Sequence, residues 1–337
     1  MVPRRICAAG CLRLLFRVMA LSGGRVRSGF TEWRAQRWFM SLDMFLQHCF
    51  NALTLGSLYA LIAIGYTMVY GILRLINFAH GDILMVGAYF VFFGTFAFGW
   101  PWGIAAIMAI AGASLLGVVM ERVAYRPLRD APRISALISA IAVSFFIESL
   151  AVVVFTGQPR PVLQPEWLVS EWQVWGGVRI LRLTAFVPAM TAVLVGILLY
   201  IVYRTKPGLA MRAISKDIET TRLLGVRVDN IIAFTFCIGS ALAAASGIMW
   251  ALRYPQVHPY MGIMPGLKAF IAAVFGGIGS IQGAVIGGVA LGFVEIMTVA
   301  FMPELSGYRD AFAFVLLVLV LLFKPTGLLG ERMEEKI

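Results

Sequence analysis

Asn51-Ala-Leu-Thr-Leu-Gly-Ser-Leu-Tyr-Ala-Leu-Ile-Ala-Ile-Gly-Tyr-Thr-Met-Val-Tyr-Gly-Ile-Leu73 runs without a charged residue straight into Arg74-Leu-Ile-Asn-Phe-Ala-His-Gly-Asp82. A hydrocarbon core about 30 Å thick needs roughly 20 apolar residues to be crossed as a helix. The first stretch meets that length, and Gly56, Ser57, Ala60, Ala63 and Gly65 recur within it at three- to four-residue spacing. Small residues so spaced suit a face on which helices approach closely in lipid. Residues 40–50 read as an amphipathic lead-in.

Working outward, comparable apolar runs fall at 82–99, 103–120, 134–157, 184–203, 231–252 and 310–323, with a glycine-rich apolar stretch at 265–301. The expected fold class is therefore an all-α integral membrane protein, a polytopic helical bundle of about eight transmembrane helices with broken or re-entrant segments. Composition agrees: 60% of the 337 residues are hydrophobic and 13% charged, with mean hydropathy +0.87. The net charge is +11; eight arginines lie in residues 1–39, and much of the remaining Lys and Arg falls in short loops, as orientation by cytoplasmic Lys and Arg requires. No basic stripe is interleaved with aromatics, so no nucleic acid partner is expected; membrane lipid is. Cys7, Cys11, Cys49 and Cys237 form neither a disulfide framework nor a metal cluster.

The segment 74–82 places Asn77, His80 and Asp82 between two apolar runs with little room for a loop. Polar groups at membrane depth are costly and tend to be functional, so the three are pathway-lining candidates. An interfacial turn with Asp82 as helix N-cap explains the same residues. Glu148, within the fourth span, either pairs across helices or lines a path.

Two loops carry the basic residues. Residues 121–133 hold Arg122, Arg126, Arg129 and Arg133, and residues 204–230 hold six basic and three acidic residues; both are read as cytoplasmic. In the second, Pro207 and Gly208 break the preceding helix. Leu209, Arg212, Ala213 and Lys216 then follow helical spacing, and Gly225 ends one amphipathic element. Its mixed charge fits a surface for another protein, and equally a helix lying on lipid. The loop 158–183, with Trp167, Trp172 and Trp175, fits the outer interface.

The glycine-rich stretch breaks at Phe-Gly-Gly-Ile-Gly-Ser280. Two short half-helices meeting at Gly276, Gly277 and Gly279 are expected there, placing helix ends along a transport path. No GK[ST] sequence occurs, so a nucleotide-binding lysine loop is absent, and no cofactor is expected. Span parity needs 265–301 to cross twice or to be re-entrant. Three simple spans before residue 121 put the N-terminal end outside, against the Arg-rich residues 1–39. That basic extension has three readings: a disordered arm near anionic lipid, sequence upstream of a true start at Met40, or a targeting segment.

The run 51–71, Ile76-Asn-Phe-Ala-His-Gly-Asp82, Glu121-Arg-Val-Ala-Tyr-Arg-Pro127, Ala136-Leu-Ile-Ser-Ala-Ile141, Leu223-Leu-Gly-Val226, Lys268-Ala-Phe270 with Val274-Phe-Gly-Gly-Ile-Gly-Ser280, and Pro325-Thr-Gly-Leu-Leu-Gly330 together resemble the LivH-type permease of branched-chain amino acid ABC importers. The resemblance spans about 40–330, leaving 1–39 without counterpart and 331–337 as a cytoplasmic tail. It implies a bacterial inner-membrane permease domain and no enzymatic activity of its own. The implied partners are a second related permease, two cytoplasmic ATPases and a periplasmic binding protein. The loop around Asp217–Gly225 resembles the coupling helix of ABC permeases at Glu219 and Gly225, which makes Arg212, Lys216, Asp217, Glu219, Leu224 and Gly225 the coupling candidates. Leucine, isoleucine and valine are the expected solutes, urea or short amides the alternative. A stand-alone secondary transporter would need an intramembrane relay, for which Glu148, Glu295, His80 and Asp82 are sparse. Deleting residues 2–39 is expected to leave membrane insertion and transport intact; loss of insertion, read by membrane fractionation, would make the arm a necessary part.

Overall fold

The computed structural model describes residues 42–129, 131–175, 178–324 and 326–330; the extension 1–39, Met40 and the tail 331–337 lie outside the described residues. The described residues from Gln47 onward form one compact unit. Helices dominate: α1 (Leu42–Leu73), α2 (His80–Phe96), α3 (Trp102–Met120), α4 (Arg133–Phe155), the short α5 (Glu166–Val169), α6 (Arg182–Arg204), α7 (Lys206–Lys216), α8 (Ile218–Leu223), α9 (Val228–Arg253), α10 (Ile263–Gly276), α11 (Ile281–Phe301) and α12 (Arg309–Phe323). Four short strands pair as β1 (Arg160–Pro161) with β4 (Gln256–Val257), and β2 (Glu171–Trp175) with β3 (Val178–Leu181).

Among the described residues, seven helices are long and apolar enough to cross a membrane. The apolar α2 and α10, of 17 and 14 residues, are shorter. Burial sorts the seven. The most apolar window of α1 is 94% buried and that of α9 72%, against 6% for the last span. So α1 and α9 form the centre, and they are apolar all round because protein surrounds them. The other spans turn apolar side chains such as Val153, Ile197 and Leu322 outward, which costs nothing against lipid.

The centre is held by close backbone approach. A Cβ on Gly288 would stand 2.5 Å from the backbone N and Cα of Ala60, and one on Gly292 2.3 Å from the backbone N of Gly56. Gly56 and Ala60 of the small-residue set thus form the seam with α11, while Gly65 stands against His80 and Gly239 of α9. On another side of the core, α9 passes α2 where Gly247 faces Leu84 and Gly87 faces Ala244.

Hydrogen bonds fix the sidedness of the ends. Gln47 donates to Arg179 O at 3.3 Å, and Arg253 Nη2 reaches Asn51 Oδ1 at 3.2 Å. Gln47 and Asn51 of α1, the β2–β3 hairpin and the end of α9 therefore share the face bearing the exposed Trp167 and Trp172, the one the sequence assigns to the outside. Three helices, α1, α2 and α3, then lead to the Arg-rich loop. Past α9, residues 254–262 return inward until Gly262 abuts Gly81 at the start of α2. That return occupies the outer part of the path, so α10 needs only its 14 residues. The 265–301 stretch divides at 277–280 as expected, but not into two half-helices. Only α10 is short, whereas α11 runs 21 residues, because its glycines line a helix–helix seam and do not break it.

Gly288→Val forces a side chain into backbone that cannot rotate away. It is expected to cost about 1–3 kcal/mol and to lower the thermal midpoint in detergent. Gly196→Val, whose Cβ meets nothing within 4 Å, should leave that midpoint unchanged.

Candidate functional site

The inner loop forms two helices, not the single element its spacing predicts. Thr205 starts α7, its Oγ1 accepting from Gly208 N at 3.3 Å, with Pro207 in the first turn where no donor is missed. Pro207 therefore opens α7, and the break after α6 falls at Thr205. Gly208 lets α7 fold back tightly: a Cβ there would meet Ile201 O at 2.2 Å. At Asp217 the carboxylate accepts from Glu219 N at 3.0 Å and Thr220 N at 3.2 Å, which caps α8 and divides the element. Gly225, at φ +84°, turns the chain towards α9.

Met211 and Ile214 bury against the bundle, while Leu223 and Leu224 stand 87% and 76% exposed. The Arg212 guanidinium lies 5.4 Å over the Tyr203 ring of α6. Lys216 and Glu219 are exposed on the same surface.

From this loop a chain of polar contacts runs into the bundle. Asp229, in the first turn of α9, accepts from Arg126 Nη2 at 2.7 Å and Arg129 Nη1 at 2.6 Å. Arg129 Nη2 also donates to Glu121 Oε1 at 2.6 Å. Glu121 is buried and opens a π-helical turn, Glu121–Tyr125, that continues α3. At the end of that turn Tyr125 donates to Asn77 Oδ1 at 2.6 Å. Asn77 belongs to the break between α1 and α2.

The three polar residues of the break are buried but do not converge. Asn77 turns to Tyr125. The His80 ring meets Tyr66 edge-on at 4.8 Å, in space left by Gly65, where a Cβ would come within 2.1 Å of Nε2. Asp82 is not an N-cap: Ala79 holds that position without a side-chain bond, and Asp82 lies in the first turn. Its Oδ2 accepts from Ser144 Oγ at 2.5 Å, with the Glu148 carboxyl within hydrogen-bonding reach.

The second break is stapled by the C-terminal segment. Gly277 and Gly279 have φ +107° and +97°, a region open to glycine. Leu328 N donates to Phe275 O and Leu329 N to Gly276 O, each at 2.9 Å. A Cβ on Gly276 would meet Gly283 O at 1.9 Å, and one on Gly277 would meet Gly330 N at 2.3 Å.

A further polar group includes Glu295, weighed in the sequence only as a relay residue, and Lys268, which the sequence reading does not single out for its charge. Lys268 of α10 and Glu295 of α11, both buried, pair at 2.9 Å. Tyr59 donates to Glu295 Oε2 at 2.8 Å, and Lys268 meets Asp310 Oδ1 at 2.6 Å. Arg309 Nε joins Glu295 at 3.0 Å. These groups border a cavity of about 320 Å³ that Trp250 and Tyr254 also line. A lysine inside an otherwise uncharged apolar helix was the signal available; its partners, on other helices, were not.

Two central helices sheathed by lipid-facing spans, broken elements stapled by protein and a two-helix inner loop define a multi-pass membrane permease. A family model described as branched-chain amino acid transport system, permease component, matches residues 48–321, and the chain belongs to that family. It is 43% identical over 309 residues to the high-affinity branched-chain amino acid transport system permease protein LivH of Escherichia coli strain K12, covering 87% of this chain and 98% of that protein. The permease protein BraD of the corresponding Pseudomonas aeruginosa system is also 43% identical, over 306 residues, with the same coverage. Among solved structures, PsaBC from Streptococcus pneumoniae aligns with TM-score 0.45 and 12% identity over 82% of this chain and 91% of that one.

Gly277→Leu combines a disfavoured φ with a backbone collision, so the C-terminal segment should detach from the break. Transport by the assembled protein is expected to fall to background while the protein still inserts; wild-type flux would make the break dispensable.

Proposed function

We propose that the chain is the membrane-spanning subunit of an ATP-driven importer in the bacterial inner membrane. It pairs with a second related permease and carries leucine, isoleucine and valine handed over by a periplasmic binding protein. ATP is hydrolysed on two cytoplasmic ATPase subunits. Relatives named for branched-chain amino acid transport, matched over nearly their whole length, support the solute class.

The observation that carries the mechanism is the inner surface. Leu223 and Leu224 project from a charged loop, which favours a protein that buries them. The loop leads within a few residues to Asp229, and Asp229 is tied through Arg126 and Arg129 to the π turn and by Tyr125 to Asn77. A push on α8 is thereby applied to the break between α1 and α2. A π turn holds one residue more than the α-helix around it, and such turns recur at functional sites. That segment can change its winding while the spans stay intact. The permease needs only two arrangements, one favoured by the binding protein and the other by closed ATPases. In this reading Arg212, Lys216, Asp217, Glu219, Leu224 and Gly225 shape the docking surface. Asn77 receives the push, with His80 and Asp82 beside it, and Gly276, Gly277 and Gly279 form the second break that must yield.

Charge reversal at Glu219 or Arg212, and Asp229→Arg within the ion cluster, should lower solute moved per ATP hydrolysed by about tenfold with insertion unchanged. Parallel uptake and ATPase measurements in proteoliposomes check this; full coupling in all three variants would remove the coupling role.

A further inference from the structure

The outer cavity shares no residue with the inner ion cluster, and its composition is specific. Lys268 and Arg309 face Glu295 and Asp310, so its formal charges balance. His258, on the rim, has its imidazole lowered below the ordinary histidine range by burial and adds no charge at neutral pH. One wall is aromatic: Tyr59 and Trp250 have ring centroids 6.0 Å apart, Trp250 and Tyr254 5.2 Å apart. Met261 and Met264 continue the apolar lining. The cavity lies on the outer face, where α9 ends and α12 begins.

We propose that this cavity binds a zwitterionic amino acid with an apolar side chain, its carboxylate on Arg309, its ammonium on Asp310 and its tail against Tyr59, Trp250 and Tyr254. The inference rests on the importer reading and adds the site and the head-group chemistry. Lys268 and Glu295 form the floor, 4% and 2% exposed and closely paired. Arg309 and Asp310 form the mouth, 45% and 40% exposed, and are only 3.6 Å apart from each other. Each mouth residue is also tied inward, Arg309 to Glu295 at 3.0 Å and Asp310 to Lys268 at 2.6 Å, so the 3.6 Å contact between the two is the loosest of the group and the one a solute can enter. A zwitterion replaces each member of that pair with an equivalent charge. A solute with a single charge pairs with one mouth residue and is repelled by the other. An uncharged solute such as urea offers nothing to exchange and no tail for the aromatic wall. The volume, about 320 Å³, is at the small end of ligand pockets, fitting one small amino acid.

The test is equilibrium binding of labelled L-leucine to the complete transporter in nanodiscs, without binding protein or ATP. Competitors are unlabelled leucine, leucinamide, 4-methylpentanoate and urea. Saturable binding displaced by leucine about tenfold or more better than by the other three is expected, weakened at least as much in Arg309→Gln and Asp310→Asn. These mouth variants keep the floor pair, and the competitor series on the unaltered protein needs no variant at all. Equal displacement by 4-methylpentanoate or urea, or unchanged affinity in both variants, overturns the site. So does binding-protein- and ATP-driven leucine uptake with no saturable binding, and that result leaves the importer reading standing. Saturable, zwitterion-selective binding without driven uptake supports the site and removes the importer reading.

Discussion

In hydrocarbon an unpaired peptide group has no water to turn to, and each costs several kcal/mol. Every departure from helix in this molecule must therefore be covered by protein. At 277–280 the cover is the segment 326–330, which donates to the last carbonyls of α10. Between α1 and α2 it is local, with Arg74 N bonded to Tyr70 O and His80 N to Asn77 O. On the outer side β4 is paired with β1. Breaks closed by other parts of the chain are places where a change of arrangement is cheap, because the cover can move with them. An unbroken span such as α4 offers no such freedom.

Glycine makes the covers possible. Gly81, Gly262 and Gly266 bring the starts of the two short helices together, and Gly56, Gly288 and Gly292 bring α1 onto α11. Lipid tails are as apolar as leucine, so helices gain from contact mainly through packing and hydrogen bonds. Close backbone approach also lets Ser246 Oγ reach Leu58 O at 3.1 Å across the core.

Much of this was legible in the sequence because it is local. Apolar length announces the spans, Arg content their inner ends, and the Gly276–Gly279 cluster its break. The subdivision of the inner loop was also present, in Asp217 followed by Glu219 and Thr220, but helical spacing on either side masked a cap in the middle. The polar partnerships were not legible. Tyr125 finds Asn77, Arg129 finds Asp229 and Lys268 finds Glu295 across large sequence separations, and only the packing of whole helices sets those distances. Asp82 misled for the same reason. Its position suits a cap, yet Ser144 on α4 supplies a better partner. The tight return of 254–262 into the bundle has no periodicity at all.

The two charged groups lie at opposite ends of one continuous helix. α9 starts with Asp229 in the inner cluster and ends beside Trp250 and Tyr254 on the wall of the outer cavity. At 1.5 Å per residue, Asp229 and Trp250 are about 30 Å apart along the axis. The helix is continuous over 26 residues and contains no proline, and the places where it can bend are its Gly239-Ser240 and Ser246-Gly247 pairs. A displacement at Asp229 must reappear at the aromatic wall or be taken up by the glycine contacts along its length. Those contacts are backbone on backbone, with Leu84 pressed against Gly247 and Ala244 against Gly87, and close packing of that kind shifts between discrete arrangements more readily than it deforms. The inner ion cluster and the outer cavity are in this way two readings of one helix position.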